Sequence, residues 1–158
     1  MKKKFKIILM LLISTFLFSC GYKKVVQNNE PIVYINNFNI EGGNKRLAYL
    51  IKNEILLISK ENAENKIDID IKLNKNKIGK IKDKSGKVTR YTIELGADLS
   101  FKEVNNTKLI GKSFNKSGDF DIASNHFDTL NRENTTTSNI AEEITEEISR
   151  YLILYFKN

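Results

Sequence analysis

The chain has 158 residues and a formal charge of +7, and its length suits one domain with a substantial apolar core. Four of its 26 lysine and arginine residues stand before residue 7, so the rest of the chain has 22 basic and 19 acidic side chains, a formal charge of +3. This near balance removes the main argument for nucleic-acid binding. One cysteine and one histidine exclude an internal disulfide and a zinc site of the cysteine–histidine type.

The amino-terminal segment has the pattern of a secretory signal. A basic head at residues 2–6 precedes an apolar run over residues 7–18, which is shorter than the ~20 residues that a membrane-spanning helix needs. The run ends in Leu17–Gly21 (LFSCG), which resembles a bacterial lipobox. The resemblance implies cleavage before Cys20, attachment of a diacylglycerol to its sulfur, and acylation of the new amino group. Glycine rather than aspartate after the cysteine resembles the pattern of outer-membrane sorting in Gram-negative bacteria.

These features divide the chain into three parts. Residues 1–19 are expected to be a cleaved lipoprotein signal peptide, residues 20–31 an acylated tether, and residues 32–158 a single domain. Acyl chains on Cys20 would attach the protein permanently to the membrane, because each buried methylene contributes about 0.8 kcal/mol. The alternative is an uncleaved anchor in which the Cys20 thiol is incidental.

The domain is predicted to begin with a strand and a helix. The segment 32–40 alternates like a strand but changes phase near Asn36 and Asn37, which indicates an end or a bulge at that point. Asn44 is suited to cap a helix. Apolar residues at helical spacing then predict an amphipathic helix from Lys45 to Lys60.

Three strands are predicted next, joined as an antiparallel meander. Every second residue is apolar over 67–73 and again over 91–101, which indicates one buried and one solvated face. Residues 83–87 between them have the composition of a hairpin turn. A further strand is predicted over 109–115, after a turn at 105–107.

The chain is predicted to end in a second amphipathic helix over residues 139–156, whose start is left open. Thr135–Thr137 form helices poorly, and the residues after Gly118 fit either a loop or an early helix. The predicted fold class is therefore α+β in the order β-α-β-β-β-α. A four-stranded mixed or antiparallel sheet would carry both helices on one face.

Catalytic patterns are weak throughout the sequence. His126 is the only histidine and stands in a polar stretch, which argues against a serine triad. Gly111-Lys112-Ser113 imitates the end of a phosphate-binding loop, but Asn106 stands where that loop requires glycine. The sequence therefore predicts no enzymatic activity, no metal and no cofactor.

Several spaced signals resemble the LptE family, lipoproteins of lipopolysaccharide assembly that plug the LptD β-barrel of the outer membrane. The signals are Cys20-Gly21-Tyr22, Arg46-Leu47, Ser85-Gly86, Arg90-Tyr91, Phe127-Asp128-Thr129-Leu130 and Arg132-Glu133-Asn134. The sequence departs from the family pattern at Asp128, where a small residue is expected, in the polar stretch Thr135–Asn139, and in having no long carboxyl-terminal tail.

The resemblance implies a non-enzymatic outer-membrane protein that faces the periplasm and enters the lumen of an LptD-like barrel. It also implies binding of lipopolysaccharide, whose phosphates and carboxylates lysine and arginine can bind. The candidate contacts are Lys84, Lys87, Arg90 and Arg132. The competing interpretation is that the hairpin lysines only protect strand edges.

Two alternative functions remain open at this level. One is a barrel-independent periplasmic lipoprotein that binds a small ligand or an envelope polymer, which a deep apolar pocket would favour. The other is a lipid-anchored hydrolase that uses His126 or a pair of carboxylates, which a cleft with convergent perturbed carboxylates would favour.

Overall fold

The computed structural model describes residues 33–157, and every structural statement below concerns that part of the chain. The predicted signal peptide, Cys20 and the tether lie outside it. The element order is the predicted β-α-β-β-β-α. The elements are β1 (Val33–Gly42), α1 (Lys45–Leu56), β2 (Asn65–Lys82), β3 (Val88–Glu103), β4 (Ile110–Asp121) and α2 (His126–Lys157).

The four strands form one mixed sheet in the order β1-β2-β3-β4. β1 runs parallel to β2, while β2, β3 and β4 form the predicted antiparallel meander. The phase change in β1 is a bulge, because the register with β2 shifts between Ile35 and Asn37. Ile35 before the bulge and Phe38 and Ile40 after it all pack on the apolar core.

Helix α1 is capped as predicted but is shorter than predicted. The side chain of Asn44 accepts a hydrogen bond from the Leu47 amide at 2.8 Å. The helix ends at Leu56 instead of Lys60. The residues after it serve the sheet: the Ser59 hydroxyl accepts a hydrogen bond from the Ile35 amide at 3.0 Å, which draws the chain back to β1.

The hairpin of β2 and β3 extends beyond β1. The β1 pairing stops where Gly42 meets Leu73, so the remaining part of β2, residues 74–82, pairs with β3 alone. The predicted turn closes this hairpin: the Asp83 amide donates to the Lys87 carbonyl at 2.8 Å. The extended hairpin therefore projects past the β1 edge and carries three of the four candidate basic residues, Lys84, Lys87 and Arg90, whereas Arg132 lies on α2.

The chain after Gly118 continues as strand to Asp121, so the sequence interpretation as loop or early helix was wrong for residues 119–121; beyond them, residues 122–125 form a loop and an early helix begins at His126. Phe120 lies opposite Tyr91 of β3, and its side chain is buried. The cause is pairing with a distant strand, which one-dimensional composition does not reveal.

Helix α2 starts at His126, thirteen residues before Asn139. The Asn125 side chain accepts from the Asp128 amide at 2.8 Å and caps this end. The threonine run lies inside the helix, where the buried Thr137 hydroxyl donates to the Glu133 carbonyl at 2.8 Å. The stabilisation gained by packing on the sheet therefore outweighs the low helix propensity of threonine.

Both helices cover the same face of the sheet and contact each other. The core between the layers is formed by alternate residues of β2 and β3 together with the apolar stripes of the helices. No helix within residues 33–157 is both long and apolar enough to cross a membrane. The fully buried side chains include Ile51, Ile55, Ile67, Ile69, Ile71, Ile93, Leu95, Leu99, Phe101, Ile144, Ile148 and Leu152.

Candidate anion-binding site at the hairpin end

An open groove of about 620 Å³ lies between the end of β4 and the first half of α2. It brings together two of the four predicted basic residues, Arg90 of β3 and Arg132 of α2. The groove is also lined by Asp119, Phe120, Asp121, Asn131, Thr135 and Thr136.

Asp121 holds the two arginines beside each other. Its carboxylate accepts from Nε of Arg90 at 2.6 Å and from Nη2 at 3.0 Å, a bidentate pair. Arg132 donates a long bond of 3.4 Å to the Asp121 carbonyl. The hydrogen bond from Arg90 holds the pKa of Asp121 below its usual range. Asp121 therefore contacts both guanidinium groups of the groove, Arg90 through its carboxylate and Arg132 through its main-chain carbonyl.

The second carboxylate of the groove, Asp119, is also paired. It accepts hydrogen bonds from Lys80 of β2 and from Thr92 of β3, the latter at 2.7 Å. The bond from Lys80 lowers the pKa of Asp119 and that from Thr92 lowers it further. Each of the two carboxylates that line the groove thus has a basic partner. This pairing limits the repulsion between the carboxylates and an incoming anion.

Lys84 and Lys87 lie outside the groove, at the exposed tip of the hairpin. The tip is organised by Asp83, whose carboxylate accepts from the Ser85 amide at 2.8 Å and the Lys87 amide at 3.0 Å. The structure thus gathers Arg90 and Arg132 but leaves both lysines at the turn.

A polar cluster beneath the hairpin was not identified from the sequence. Glu133 of α2 accepts from Lys77 at 2.6 Å and from Lys75 at 3.3 Å. The Lys77 ammonium also lies 4.5 Å from the Tyr91 ring centroid and 5.3 Å from that of Phe120. The available signal was that both lysines occupy positions that continue the apolar face of β2.

Two carboxylates on the polar face of β2, which the sequence offered as a possible catalytic pair, are hydrogen-bonded to asparagines of β1. Asp68 accepts from Asn36 and Asn37, both at 2.9 Å, and Asp70 accepts from Asn39 at 3.2 Å. The hydrogen bond from Asn36 lowers the pKa of Asp68, the opposite of the shift that a general acid needs. His126, the other catalytic candidate, is exposed at the start of α2.

The fold is shared with proteins of known structure. A Caulobacter crescentus protein described as a lipoprotein aligns with a TM-score of 0.53 and 13% identity, over 77% of this chain and 91% of its own. An uncharacterized lipoprotein B from Nitrosomonas europaea aligns with a TM-score of 0.56 and 12% identity, over 85% and 92%. For the rare lipoprotein B from Shewanella oneidensis the TM-score is 0.49, with 10% identity over 76% and 92%.

The sequence comparisons give no match, neither to a protein-family model nor to a curated protein. At these low identities, the likeness to the Caulobacter and Nitrosomonas structures establishes a common α+β fold.

Proposed function

We propose that the protein is an outer-membrane lipoprotein of the LptE type. It is attached through Cys20, plugs an LptD-like β-barrel and assists the insertion of lipopolysaccharide into the outer leaflet. The observation that carries this proposal is the convergence of Arg90 and Arg132 on one open groove. The lipobox and the fold shared with proteins described as lipoproteins support the anchored location.

The groove has the chemistry of a phosphate site. Arginine offers a planar fork of donors that suits phosphate and carboxylate oxygens. The ion pair with Asp121 uses Nε and Nη2 of Arg90. Arg132 donates a long hydrogen bond to the Asp121 carbonyl through Nη1. An incoming phosphate would bind between the two guanidinium groups and compete with Asp121 for Arg90.

The face of the sheet opposite the helices suits the lumen of a barrel. Its side chains are mostly polar, although Ile78 of β2 is apolar and 42% exposed. Several of the polar groups are hydrogen-bonded to one another: Asn39 donates to Asp70 at 3.2 Å, and the Ser113 hydroxyl to Asp98 at 2.5 Å. Such a face is compatible with the polar wall of a barrel lumen. This face is therefore suited to contact the polar wall of a barrel, whereas an apolar, lipid-facing surface would not be.

The partner is tested by isolating the tagged, acylated protein from its own envelope in mild detergent and identifying what accompanies it by mass spectrometry. We expect one large β-barrel at near one-to-one stoichiometry, retained in salt that screens surface ion pairs. Recovery of the protein alone and monomeric would overturn the plug function and favour a barrel-independent lipoprotein.

The glycolipid site is tested separately, on the purified complex. Arg132→Ala and Arg90→Ala should each lower the lipopolysaccharide content, because each removes one guanidinium from the groove. Arg46→Ala is the matched control, since Arg46 is an exposed arginine on α1. Equal retention in all three variants would refute the assignment of the groove while leaving the barrel result intact.

A further inference from the structure

One end of the domain gathers the start of β1, the segment 57–66, the turn 103–110 and the last two turns of α2. We call it the anchor end. Val33 pairs with Asn65, and its carbonyl accepts from the Lys60 amide at 3.1 Å. The Val104 amide donates to the Lys66 carbonyl at 2.8 Å, which places the β3–β4 turn beside them. The described chain begins at this end, at Val33.

Five aromatic side chains form a cluster at the anchor end. Phe101 of β3 lies 5.1 Å from Tyr155 and 5.7 Å from Phe156 of α2, measured between ring centroids. Tyr151 lies 6.0 Å from Phe114 of β4 and 6.3 Å from Phe101, so it connects Phe114 to the other aromatic rings. The cluster continues from the core to the surface, since Phe101 is fully buried and Tyr155 is 38% exposed.

Apolar side chains are exposed around this cluster. Leu57 after α1 is 67% exposed, and Leu154 on α2 is 53% exposed. Val104 and Leu109 of the β3–β4 turn are 46% and 65% exposed. Three of the four segments at the anchor end, all except the start of β1, thus expose an apolar side chain to solvent. Such a grouping is typical of a surface that meets another phase or a partner.

The charge of α2 changes along its length. Its carboxylates end at Glu147, and the last ten residues contain Arg150 and Lys157 but no acid. The other segments of the anchor end carry both signs, with Lys60, Lys66 and Lys108 against Glu61, Glu64 and Glu103, so the end as a whole has an excess of two positive charges. Basic side chains that flank apolar and aromatic groups match the headgroup layer of a bilayer, where lysine and arginine extend to phosphate while their stems stay in apolar surroundings.

The length of chain before Val33 limits where this end can lie. Thirteen residue steps separate Cys20 from Val33. Fully extended they span at most about 45 Å. Acyl chains on Cys20 would therefore keep the anchor end within about that distance of the bilayer.

We propose that the anchor end docks on the bilayer that holds the acyl chains, with Tyr155 and Leu154 in its headgroup layer. The proposal rests on acylation of Cys20 as part of the proposed function but does not require a barrel. The ring of Tyr155 is suited to this depth, because one side of it is apolar and its hydroxyl can remain hydrated. Docking would fix the direction of the domain, with the anchor end at the headgroup layer and the Arg90 groove at the opposite end of the domain.

The absence of tryptophan from the chain makes this orientation measurable. Tyr155→Trp and Phe127→Trp each introduce a single fluorophore on α2, at positions separated by about 42 Å along the helix axis. Phe127 is 71% exposed and serves as the matched control. Each acylated variant is placed in phosphatidylethanolamine–phosphatidylglycerol vesicles whose acyl chains carry bromine at known depths.

We expect bromine near the headgroups to quench the Tyr155→Trp variant and to leave the Phe127→Trp variant unquenched. Flotation with the vesicles, compared with Cys20→Ser, first establishes that the protein is anchored. Loss of flotation in the acylated protein would refute the anchor itself. Flotation with both variants unquenched, or both quenched alike, would overturn docking while the anchor stands. If the tryptophan of the Tyr155→Trp variant became buried from solvent only after a barrel was added, that result would also overturn docking on the bilayer, in favour of a protein partner.

A charge at the docking surface provides a second test. Leu154→Glu in the Tyr155→Trp background should abolish the quenching, because a carboxylate is poorly accommodated among lipid chains and phosphates. Leu130→Glu is its control: Leu130 is 43% exposed on the same helix but near the hairpin end. If both substitutions left the quenching unchanged, the contact surface would lie elsewhere and the proposal would fail.

Discussion

Glu133 links the first half of α2 to the extended hairpin, and its replacement by glutamine tests how strongly that link holds the groove together. The side chain is 18% exposed and accepts hydrogen bonds from Lys77 and Lys75, at 2.6 Å and 3.3 Å. Glutamine keeps the shape of the side chain and removes the charge. The variant therefore isolates the electrostatic part of the contact.

The expected loss is about 1–2 kcal/mol at neutral pH, because each partly exposed ion pair contributes up to about 1 kcal/mol. The lysine side chains are 24% and 38% exposed, so solvent screening keeps the value near that of surface pairs rather than buried ones. For a domain of this size the loss corresponds to a fall in Tm of about 4–8 °C. The measurement is urea or thermal unfolding of the mature chain in a Cys20→Ser background.

The pH dependence gives the sign of the effect. Burial raises the pKa of Glu133, but hydrogen bonds and charges from Lys77 and Lys75 lower it more, so the net shift is downward. In the unfolded chain the group titrates near its ordinary value of about 4.3. A depressed pKa contributes stability that is complete above that value and is lost as the pH falls through the folded-state pKa. The difference between wild type and Glu133→Gln should therefore be smaller at an acidic pH than at pH 7 and should decrease as the pH falls through the folded-state pKa of Glu133.

Glu142→Gln is the control, since Glu142 is an exposed carboxylate on the same helix. Its effect should remain within about 0.5 kcal/mol of wild type. A Glu133→Gln loss that is equally large at both pH values would show that hydrogen-bond geometry or packing, and not charge, links α2 to the hairpin. That result would refute the electrostatic account of the cluster.

Two backbone positions give further predictions, each measured by urea unfolding. Gly42→Ala should destabilise the domain by more than about 2 kcal/mol, because Gly42 has φ +78° and an added Cβ would collide with the Leu73 carbonyl oxygen. Gly86→Ala shares the positive φ, +84°, but meets open space, so only the strain of about 1–2 kcal/mol should appear; equal losses at both glycines would contradict the steric argument. Asn44→Ala should cost about 1 kcal/mol through loss of the helix cap, and an unchanged midpoint would show that solvent replaces the cap.

Local sequence patterns were sufficient wherever a segment's environment is set by its own periodicity. The alternation over 67–73 identified the buried face of β2, and the phase change near Asn36 identified the bulge in β1. The Asn44 cap was also predicted, because the hydrogen bond spans only three residues. These features depend on near neighbours in the chain, which a sequence displays directly.

Contacts between distant segments decided what the sequence could not. Phe120 belongs to a strand because β3 pairs with it, and the threonine run near Thr137 is helical because the sheet lies beneath it. The resemblance to LptE selected Arg90 and Arg132 one by one, but 42 residues separate them in the chain. Only the tertiary structure places them around Asp121.

The α+β order, the basic residue types and the resemblance of Leu17–Gly21 to a lipobox follow from the sequence alone, since each depends on composition, a short motif or a short-range period. Three features depend on the tertiary structure. It shows which basic residues share a groove and that Glu133, rather than an apolar residue, joins α2 to the hairpin. It also places the aromatic cluster at the anchor end of the domain. The physical reason is that side-chain burial and ion pairing depend on neighbours brought together by folding, and such neighbours leave no periodic mark in the chain.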